Sequence, residues 1–274
     1  MPTTAEKCRA FRKLHESGCF VIPNPWNVGS TRYLEGMGFK ALASTSSGYA
    51  HSIGHADGDL TLDQVLAHFR EIASATSLPL NADFENCFAH EPKDVAANVK
   101  RCIETGVAGI SIEDFTNDEA NPIYPFDLAV ERVKAARRAI DEAGGDVVLT
   151  GRTEGFLHGQ PDLAEAIRRL KAYGDAGADC LYVPGIKTRE QIVEVVKAVA
   201  PKPVNFLNAW PLGFSVKDIT DMGVRRISVG GTLARVAMDA FIKAAREIAD
   251  QGTFEKFGGV MTNAELNKFF SSSK

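Results

Sequence analysis

The chain has 274 residues, of which 45% are hydrophobic and 24% charged, so it can bury a sizeable core in one large domain. Thirty-one Lys and Arg against 35 Asp and Glu give a formal net charge of −4, which argues against binding to nucleic acid. No apolar run reaches the roughly 18 residues of a membrane span, and the N-terminus lacks the apolar segment of a signal peptide. Five cysteines without a Cys-x-x-Cys pair argue against a disulfide framework and predict a cytoplasmic protein.

Eight short apolar runs predict β-strands, and longer stretches of helical period lie between them. The predicted strands are 19–24, 40–46, 79–83, 109–114, 147–153, 180–185, 203–208 and 226–231. The predicted helices include Leu62–Ala75, Asp94–Thr105, Asp127–Ala143, Leu163–Ala176, Arg189–Ala200 and Thr232–Asp250. Glycine recurs before four of these strands, at Gly36, Gly106, Gly177 and Gly223, where it can end the preceding helix.

This repeated strand–helix order predicts an α/β protein with a (β/α)8 TIM-type barrel over residues 1–251. A doubly wound open sheet is the alternative, but no Gly-x-Gly-x-x-Gly turn follows the first strand. Residues 252–274 predict an extra C-terminal helical tail that is rich in Phe. Such a tail has to bury its rings, either on its own barrel or on a neighbouring subunit.

Catalytic groups of such barrels lie at the carboxyl ends of the strands. Polar residues collect at these ends in segments 44–49, 81–86, 111–114, 151–154, 205–208 and 228–231. Asp83 and Glu113, with Asp57 from a loop, predict an oxygen-ligand site for Mg²⁺ or Mn²⁺. Arg152 at the same level can grip a substrate carboxylate.

The same barrel mouth contains further candidates for binding. Ser46, Ser47 and the backbone around Gly48 are candidates for a second oxyanion site, and Asn205 and Asn208 are candidate substrate-binding amides. Simpler roles stay open at this point, because a strand-end carboxylate is often a helix cap and Arg152 can form a structural ion pair with Glu113. Cys87 is interpreted as an inert buried thiol, since no His is placed beside it by sequence.

An ordered set of motifs resembles the isocitrate lyase/phosphoenolpyruvate mutase superfamily over residues 17 to 250. The motifs are Ser46-Ser47-Gly48, Ala56-Asp57, Asn81-Ala82-Asp83, the segments 109–114 and 172–179, and Arg152-Thr153-Glu154. The resemblance implies a Mg²⁺-dependent barrel that acts on 2-oxo or 2-hydroxy acids through an enolate. It also implies tetramers whose last helices are swapped between subunits.

The resemblance assigns roles to several of the candidates. Asp83 matches the second aspartate of the superfamily's Asp-x-Asp metal motif, Glu113 its strand-four glutamate, Asp57 its loop aspartate and Arg152 its substrate arginine. Ser46 and Gly48 fall in the segment that holds the substrate carboxylate. Asn81 replaces the first aspartate of the motif, and a neutral amide predicts weaker binding of Mg²⁺.

One departure concerns the proton donor. The Lys-Lys-Cys-Gly-His loop of isocitrate and methylisocitrate lyases is absent, since residues 115–122 contain neither Cys nor Lys. The chain therefore resembles a short-loop branch. Candidates for proton transfer are Tyr49, His51, Glu154, Tyr124 or a metal-bound water. Of these we interpret Tyr49 as catalytic, together with Arg152 and Glu113.

These features predict a Mg²⁺-dependent carbon–carbon lyase or decarboxylase for a small 2-oxo or 2-hydroxy acid, in a homo-oligomer, a tetramer or a dimer. Phosphonopyruvate-type P–C mutase or hydrolase chemistry is the first alternative, disfavoured because the 115–126 loop has no Lys. A non-catalytic 2-oxo acid binder is the second. A third is a barrel that binds phosphate or flavin at Ser228–Gly231.

Overall fold

The computed structural model describes residues 1–272 and shows eight parallel strands in a nearly closed barrel surrounded by helices. The strands pair in the order β1-β8-β7-β6-β5-β4-β3-β2, and all seven neighbouring pairs are parallel. The strands are β1 Phe20–Ile22, β2 Leu42–Ala43, β3 Leu80–Asp83, β4 Gly109–Glu113, β5 Val148–Arg152, β6 Cys180–Tyr182, β7 Val204–Leu207 and β8 Arg226–Ser228. The predicted (β/α)8 fold is confirmed.

The helices alternate with the strands, as the sequence pattern predicts. They are α1 Thr4–Leu14, α2 Val28–Gly36, α3 Ser46–Ser52, α4 Leu62–Ser74, α5 Pro92–Ile103, α6 Phe126–Glu142, α7 Leu163–Asp175, α8 Arg189–Val199, α9 Val216–Asp221, α10 Thr232–Gln251 and α11 Asn263–Ser272. Several begin at side-chain caps, such as Thr61 and Thr188, each of which accepts a hydrogen bond from the third helical amide. No helix within residues 1–272 is both long and apolar enough to cross a bilayer.

Helix α1 closes the amino end of the barrel, opposite the end where the strands terminate. Phe11 is fully buried, and its ring centroid lies 6.3 Å from that of Phe20, the first residue of β1. Gly109 begins β4 beside the same ring, and a Cβ there would come within 2.5 Å of Phe11. Because this end is filled by aromatic packing, a ligand site has to use the other end.

A polar network fills part of the barrel interior. The Arg226 guanidinium donates to Asn205 Oδ1 at 2.8 Å and to Thr150 Oγ1 at 3.0 Å, and Asn205 Nδ2 donates to Ser228 Oγ at 2.9 Å. These partners satisfy the buried polar groups that an apolar interior would leave unpaired.

The seam between β1 and β2 is closed by one backbone hydrogen bond and one side chain. Ala43 N–H donates to Pro23 O at 3.1 Å. The buried Asn24 donates from Nδ2 to Ser44 O at 2.9 Å, and its Oδ1 accepts from the amides of Val229 and Gly230 at 3.0 and 2.9 Å. Asn24 thus connects the ends of β2 and β8 across β1.

The C-terminal segment leaves most of its apolar surface exposed. On α10, Val236 is 61% and Phe241 67% exposed. Helix α11 lies against α2, where the Phe269 ring centroid is 4.3 Å from that of Tyr33. The tail therefore contacts its own chain through α11, while the apolar face of α10 remains uncovered.

Candidate active site

Arg152 is the centre of an ionic cluster at the carboxyl ends of β3, β4 and β5. Its Nη1 lies 3.2 Å from Asp83 Oδ1 and 3.3 Å from Glu113 Oε2, and its Nε donates to Glu154 Oε1. The register of the sheet pairs Glu113 directly with Arg152, which is why the two side chains meet. The predicted convergence of Asp83, Glu113 and Arg152 is therefore present in the structure.

The cluster contains more acid than one guanidinium can neutralise. Burial raises the pKa of Glu113 well above its usual value and also raises that of Glu154, although Arg152 opposes the shift in both. Burial alone would lower the pKa of Arg152, but the surrounding carboxylates, Glu154 foremost, raise it well above its usual value. Arg152 is thus held as a cation, and the acids around it favour a further positive charge.

Glu85 adds a further buried carboxyl group beside this cluster. It lies in a tight loop after β3 with a φ of 48°, and Cys87 and Phe88 in the same loop also have positive φ. Its backbone carbonyl accepts from the Glu113 amide at 3.0 Å, which ties the loop to β4. The buried Oε1 has no hydrogen-bond partner among the described residues, and burial, followed by Asp83 and Asp57, raises the pKa of Glu85 to about 8.

Ser46 and Asp57 lie on the other side of Asp83. The amide and hydroxyl of Ser46 both donate to Asp83 Oδ2, at 3.1 and 3.2 Å. Burial and the charge of Asp83 raise the pKa of Asp57. Ser46 therefore positions Asp83, and Asp57 extends the acidic wall.

These groups open into a cavity of about 370 Å³ at the mouth of the barrel. Its wall is formed by Ser46, Asp57, Gly58, Glu85, Glu113, Phe115, Asn117, Glu119, Arg152, Glu154, Leu157 and His158. Five of these residues are Asp or Glu, one is Arg and one is His. Arg152 also lines a smaller hollow of about 50 Å³ inside the barrel, together with Asn81, Asp83 and Asn205.

A short hairpin and a histidine form one wall of this cavity. Phe115 and Ile123 pair across an antiparallel bridge, and the Phe115 ring stacks on His158 with centroids 3.7 Å apart. His158 Nδ1 lies 3.7 Å from Glu119 Oε1, and Nε2 lies 3.8 Å from Glu154 Oε2. Sequence reasoning missed His158, because its position depends on the hairpin and on β5, which are separated along the chain.

Several predicted site residues lie outside the cavity. The Tyr49 ring stacks on His68 of α4 with centroids 3.8 Å apart. The Ser47 hydroxyl lies 3.3 Å from that of Thr45, and Gly48 is buried against α10. Asn205 belongs to the network inside the barrel, while Asn208 has a buried Oδ1 without a partner in the described chain. Their roles in binding or catalysis stay predictions.

His68 provides a test of stability that does not involve the cavity. Both of its ring nitrogens are buried and unpaired within the described residues, and burial lowers its pKa to about 4. Between about pH 6.5 and 4 the unfolded chain therefore binds a proton that the folded chain does not, so this histidine destabilises the fold as the pH falls.

We expect His68→Phe to raise the free energy of unfolding by about 1–3 kcal/mol at pH 7, because it removes unpaired buried nitrogens and keeps the stack on Tyr49. The gain should increase towards pH 5. Thermal unfolding of both proteins at pH 7 and pH 5 measures this, and an equal pH dependence in the two would contradict it. The exposed His55→Phe serves as the control.

The donor set fits a hard divalent cation. No three His, Cys, Asp or Glu side chains within residues 1–272 are arranged as a complete ligand set. The Arg152 guanidinium instead contacts both Asp83 and Glu113. However, the buried oxygens Asn81 Oδ1 and Glu85 Oε1 have no partner in this part of the chain, and the surplus of carboxylates favours an added cation.

A parallel eight-stranded barrel with charged residues gathered at the carboxyl ends of its strands has the architecture of a TIM-barrel enzyme. The sequence profile of the phosphoenolpyruvate phosphomutase family matches residues 11–249. The chain therefore belongs to this family and, with it, to the isocitrate lyase/phosphoenolpyruvate mutase superfamily, as the motifs predict.

Three known proteins illustrate the similarity. A solved structure from Burkholderia cenocepacia J2315, provisionally named a lyase/mutase, is 42% identical with a TM-score of 0.94, covering 98% of this chain and 96% of that one. The structure of 2,3-dimethylmalate lyase is 28% identical with a TM-score of 0.85, covering 99% and 96%. Oxaloacetate decarboxylase of Paraburkholderia xenovorans LB400 is 28% identical, covering 72% of this chain and 67% of its own.

Proposed function

We propose that the protein is a Mg²⁺-dependent carbon–carbon lyase or decarboxylase that acts on a small 2-oxo or 2-hydroxy carboxylic acid through an enolate. The observation that supports this most strongly is the Arg152 cluster with Asp83 and Glu113 at the barrel mouth. Similarity to a dimethylmalate lyase and an oxaloacetate decarboxylase supports the same class of reaction.

Arg152 would bind the substrate carboxylate through its guanidinium, and Glu154 holds its Nε in place. Ser46 fixes the orientation of Asp83. Asp83 and Glu113, with Asp57 and Asn81 nearby, would hold the Mg²⁺ ion. When bound, the ion supplies Lewis-acid stabilisation of the negative charge that develops on the substrate oxygens.

The charge of the cavity favours C–C over P–C chemistry. A phosphonate carries more negative charge than a carboxylate and needs more positive charge around it. Among the residues that line the cavity, Arg152 is the one permanently charged cation, and the 115–123 hairpin contributes Asn117 and Glu119. The same argument disfavours substrates with three carboxylates.

The activity can be tested by adding oxaloacetate and MgCl₂ and measuring pyruvate release by coupled NADH oxidation. We expect a rate well above the metal-catalysed background that is lost with EDTA and restored with Mg²⁺ or Mn²⁺. A methylisocitrate-type acid and phosphonopyruvate are measured in parallel. Release from phosphonopyruvate alone would favour the phosphonate alternative. A Mg²⁺-dependent rise in melting temperature with 2-oxo acids but no turnover would favour a binding protein.

We also propose that the protein is a cytoplasmic homo-oligomer, a tetramer or a dimer, in which the tail over residues 252–274 contributes to the contact between subunits. The exposed apolar residues of α10, such as Val236 and Phe241, and of the tail itself, such as Phe254 and Val260, support this because an apolar surface of this kind favours contact with another subunit. All five cysteines are free thiols, in keeping with a reducing compartment. Sedimentation of the intact chain tests the oligomeric state.

A further inference from the structure

The cavity wall contains His158, a residue that has no part in the proposed binding of substrate or metal. His158 follows β5 and lines the cavity wall with Arg152 and Glu154. Its side chain is 18% exposed, so it is largely covered yet retains access to water. The superfamily loop that contains the lyase Cys and His is absent here, and Phe115 of the short hairpin packs directly on the His158 ring.

The two ring nitrogens of His158 face different surroundings. Nε2 lies 3.8 Å from Oε2 of Glu154, whose side chain is 3% exposed, so this nitrogen is on the inner side of the wall. Nδ1 lies 3.7 Å from Oε1 of Glu119, whose side chain is 81% exposed, so this nitrogen is on the solvent side. The imidazole ring of His158 therefore lies between the buried cluster around Arg152 and the solvent.

The two charged groups that lie closest to the His158 ring are both carboxylates. Glu154, which follows β5, lies on one side of the ring, and Glu119 of the hairpin lies on the other. Arg152 forms an ion pair with Glu154. The remaining carboxyl groups of the cavity are Asp57, Glu85 and Glu113. The Phe115 stack fixes the plane of the His158 ring between the two carboxylates.

The other candidates for proton transfer have different positions. Tyr49 stacks on His68, and the Tyr124 hydroxyl contacts His90 Nδ1. His51 lines a separate hollow beside Trp26 and Arg235. Glu154 is bound by the Arg152 guanidinium.

We propose that His158 is the proton-transfer residue of this site, the group that replaces the missing loop acid. The proposal rests on the proposed function. When the C3–C4 bond of a 2-oxo acid breaks, its electron pair stays on the enolate and the C4 fragment leaves, as carbon dioxide in a decarboxylation. The Nε2–H of imidazolium then breaks as the new C3–H bond forms. The neutral ring keeps its proton on Nδ1, beside Glu119, and Nε2 regains a proton from water in the cavity.

The reverse of this proton transfer can be measured without the unidentified substrate. Pyruvate in D₂O with MgCl₂ should exchange its methyl protons in the presence of the protein, because neutral His158 removes a proton and returns a deuteron. The exchange is followed by ¹H NMR. Isothermal titration with oxalate, a planar mimic of the enolate, gives a separate measure of an intact site.

We expect His158→Gln to slow the exchange by about 100-fold or more. The oxalate Kd of H158Q in Mg²⁺ should stay within about threefold of the wild-type value. His55→Gln, in an exposed loop, is the matched control and should exchange like the wild type.

The outcomes separate the two proposals. Exchange by H158Q at the wild-type rate would overturn the role of His158 and leave the proposed function standing. A wild type that neither exchanges pyruvate nor binds oxalate in Mg²⁺ would overturn the proposed function and this role with it. Loss of both exchange and oxalate binding in H158Q would show a structural role and would also overturn the proposal.

Discussion

Replacing Arg152 with methionine should reduce the kcat/KM of pyruvate release by about 1,000-fold or more. The substitution keeps most of the buried stem but removes the guanidinium that contacts Asp83, Glu113 and Glu154. The substrate carboxylate then loses its cationic partner and its orientation, and either effect alone is worth orders of magnitude in rate. The rate is measured at saturating Mg²⁺ across a range of substrate concentrations.

The same variant separates a substrate-binding role from a structural ion pair. Freed from Arg152, Asp83 and Glu113 should still bind Mg²⁺, and calorimetry should show an affinity at least equal to that of the wild type. Arg138→Met on the exposed face of α6 is the control and should change neither quantity. An R152M protein that folds, binds Mg²⁺ and retains full activity would show that Arg152 is a structural residue.

Replacing Arg132 with alanine is expected to lower the free energy of unfolding by about 3–5 kcal/mol. Arg132 is fully buried and donates to the carbonyls of Asn86, Ala89 and His90. Its guanidinium also lies 4.0 Å from the centroid of the Tyr124 ring. Without it, three carbonyls lose a donor and a large space opens, so the melting temperature should fall by about 6–15 °C.

The effect of R132A should extend to the cavity. Arg132 binds the same loop in which Glu85, Cys87 and Phe88 have positive φ, a conformation that costs free energy and needs support. Mg²⁺ affinity should therefore fall at temperatures where the variant is still folded. Arg138→Ala on the same helix is the control for stability, and an R132A protein as stable as this control would contradict the prediction.

Much of the fold could be predicted from the sequence because the barrel repeats one local pattern. The predicted helix 62–75 is Leu62–Ser74 in the structure, and 232–250 is Thr232–Gln251. The pattern did not predict α1, whose helix precedes the first strand, or α3, where Ser and Gly at 46–48 indicate a loop. Helix α3 forms because Thr45 caps it, which composition alone does not reveal.

The site could be predicted in part, and for a physical reason. Asp83, Glu113 and Arg152 are at the ends of adjacent strands, so the order of the strands is enough to bring them together. The positions of Glu85 and His158 depend on a left-handed loop and on stacking with a hairpin, and neither leaves a periodic pattern. Tyr49 was expected among the catalytic residues by its position in the chain, but its orientation is set by packing on His68.

The side-chain amide of Asn24 bridges the one position in the described ring of strands where neighbouring strands, β1 and β2, share no backbone ladder. Elsewhere around the ring neighbouring strands share a ladder of backbone bonds, whereas here one carboxamide spans three chain segments. Opening at this point would separate Ser44 from Val229 without breaking any ladder, and Ser46 with its contact to Asp83 lies two residues further on. The seam between β1 and β2 is therefore the point at which the described ring of strands can open with the loss of the fewest backbone hydrogen bonds.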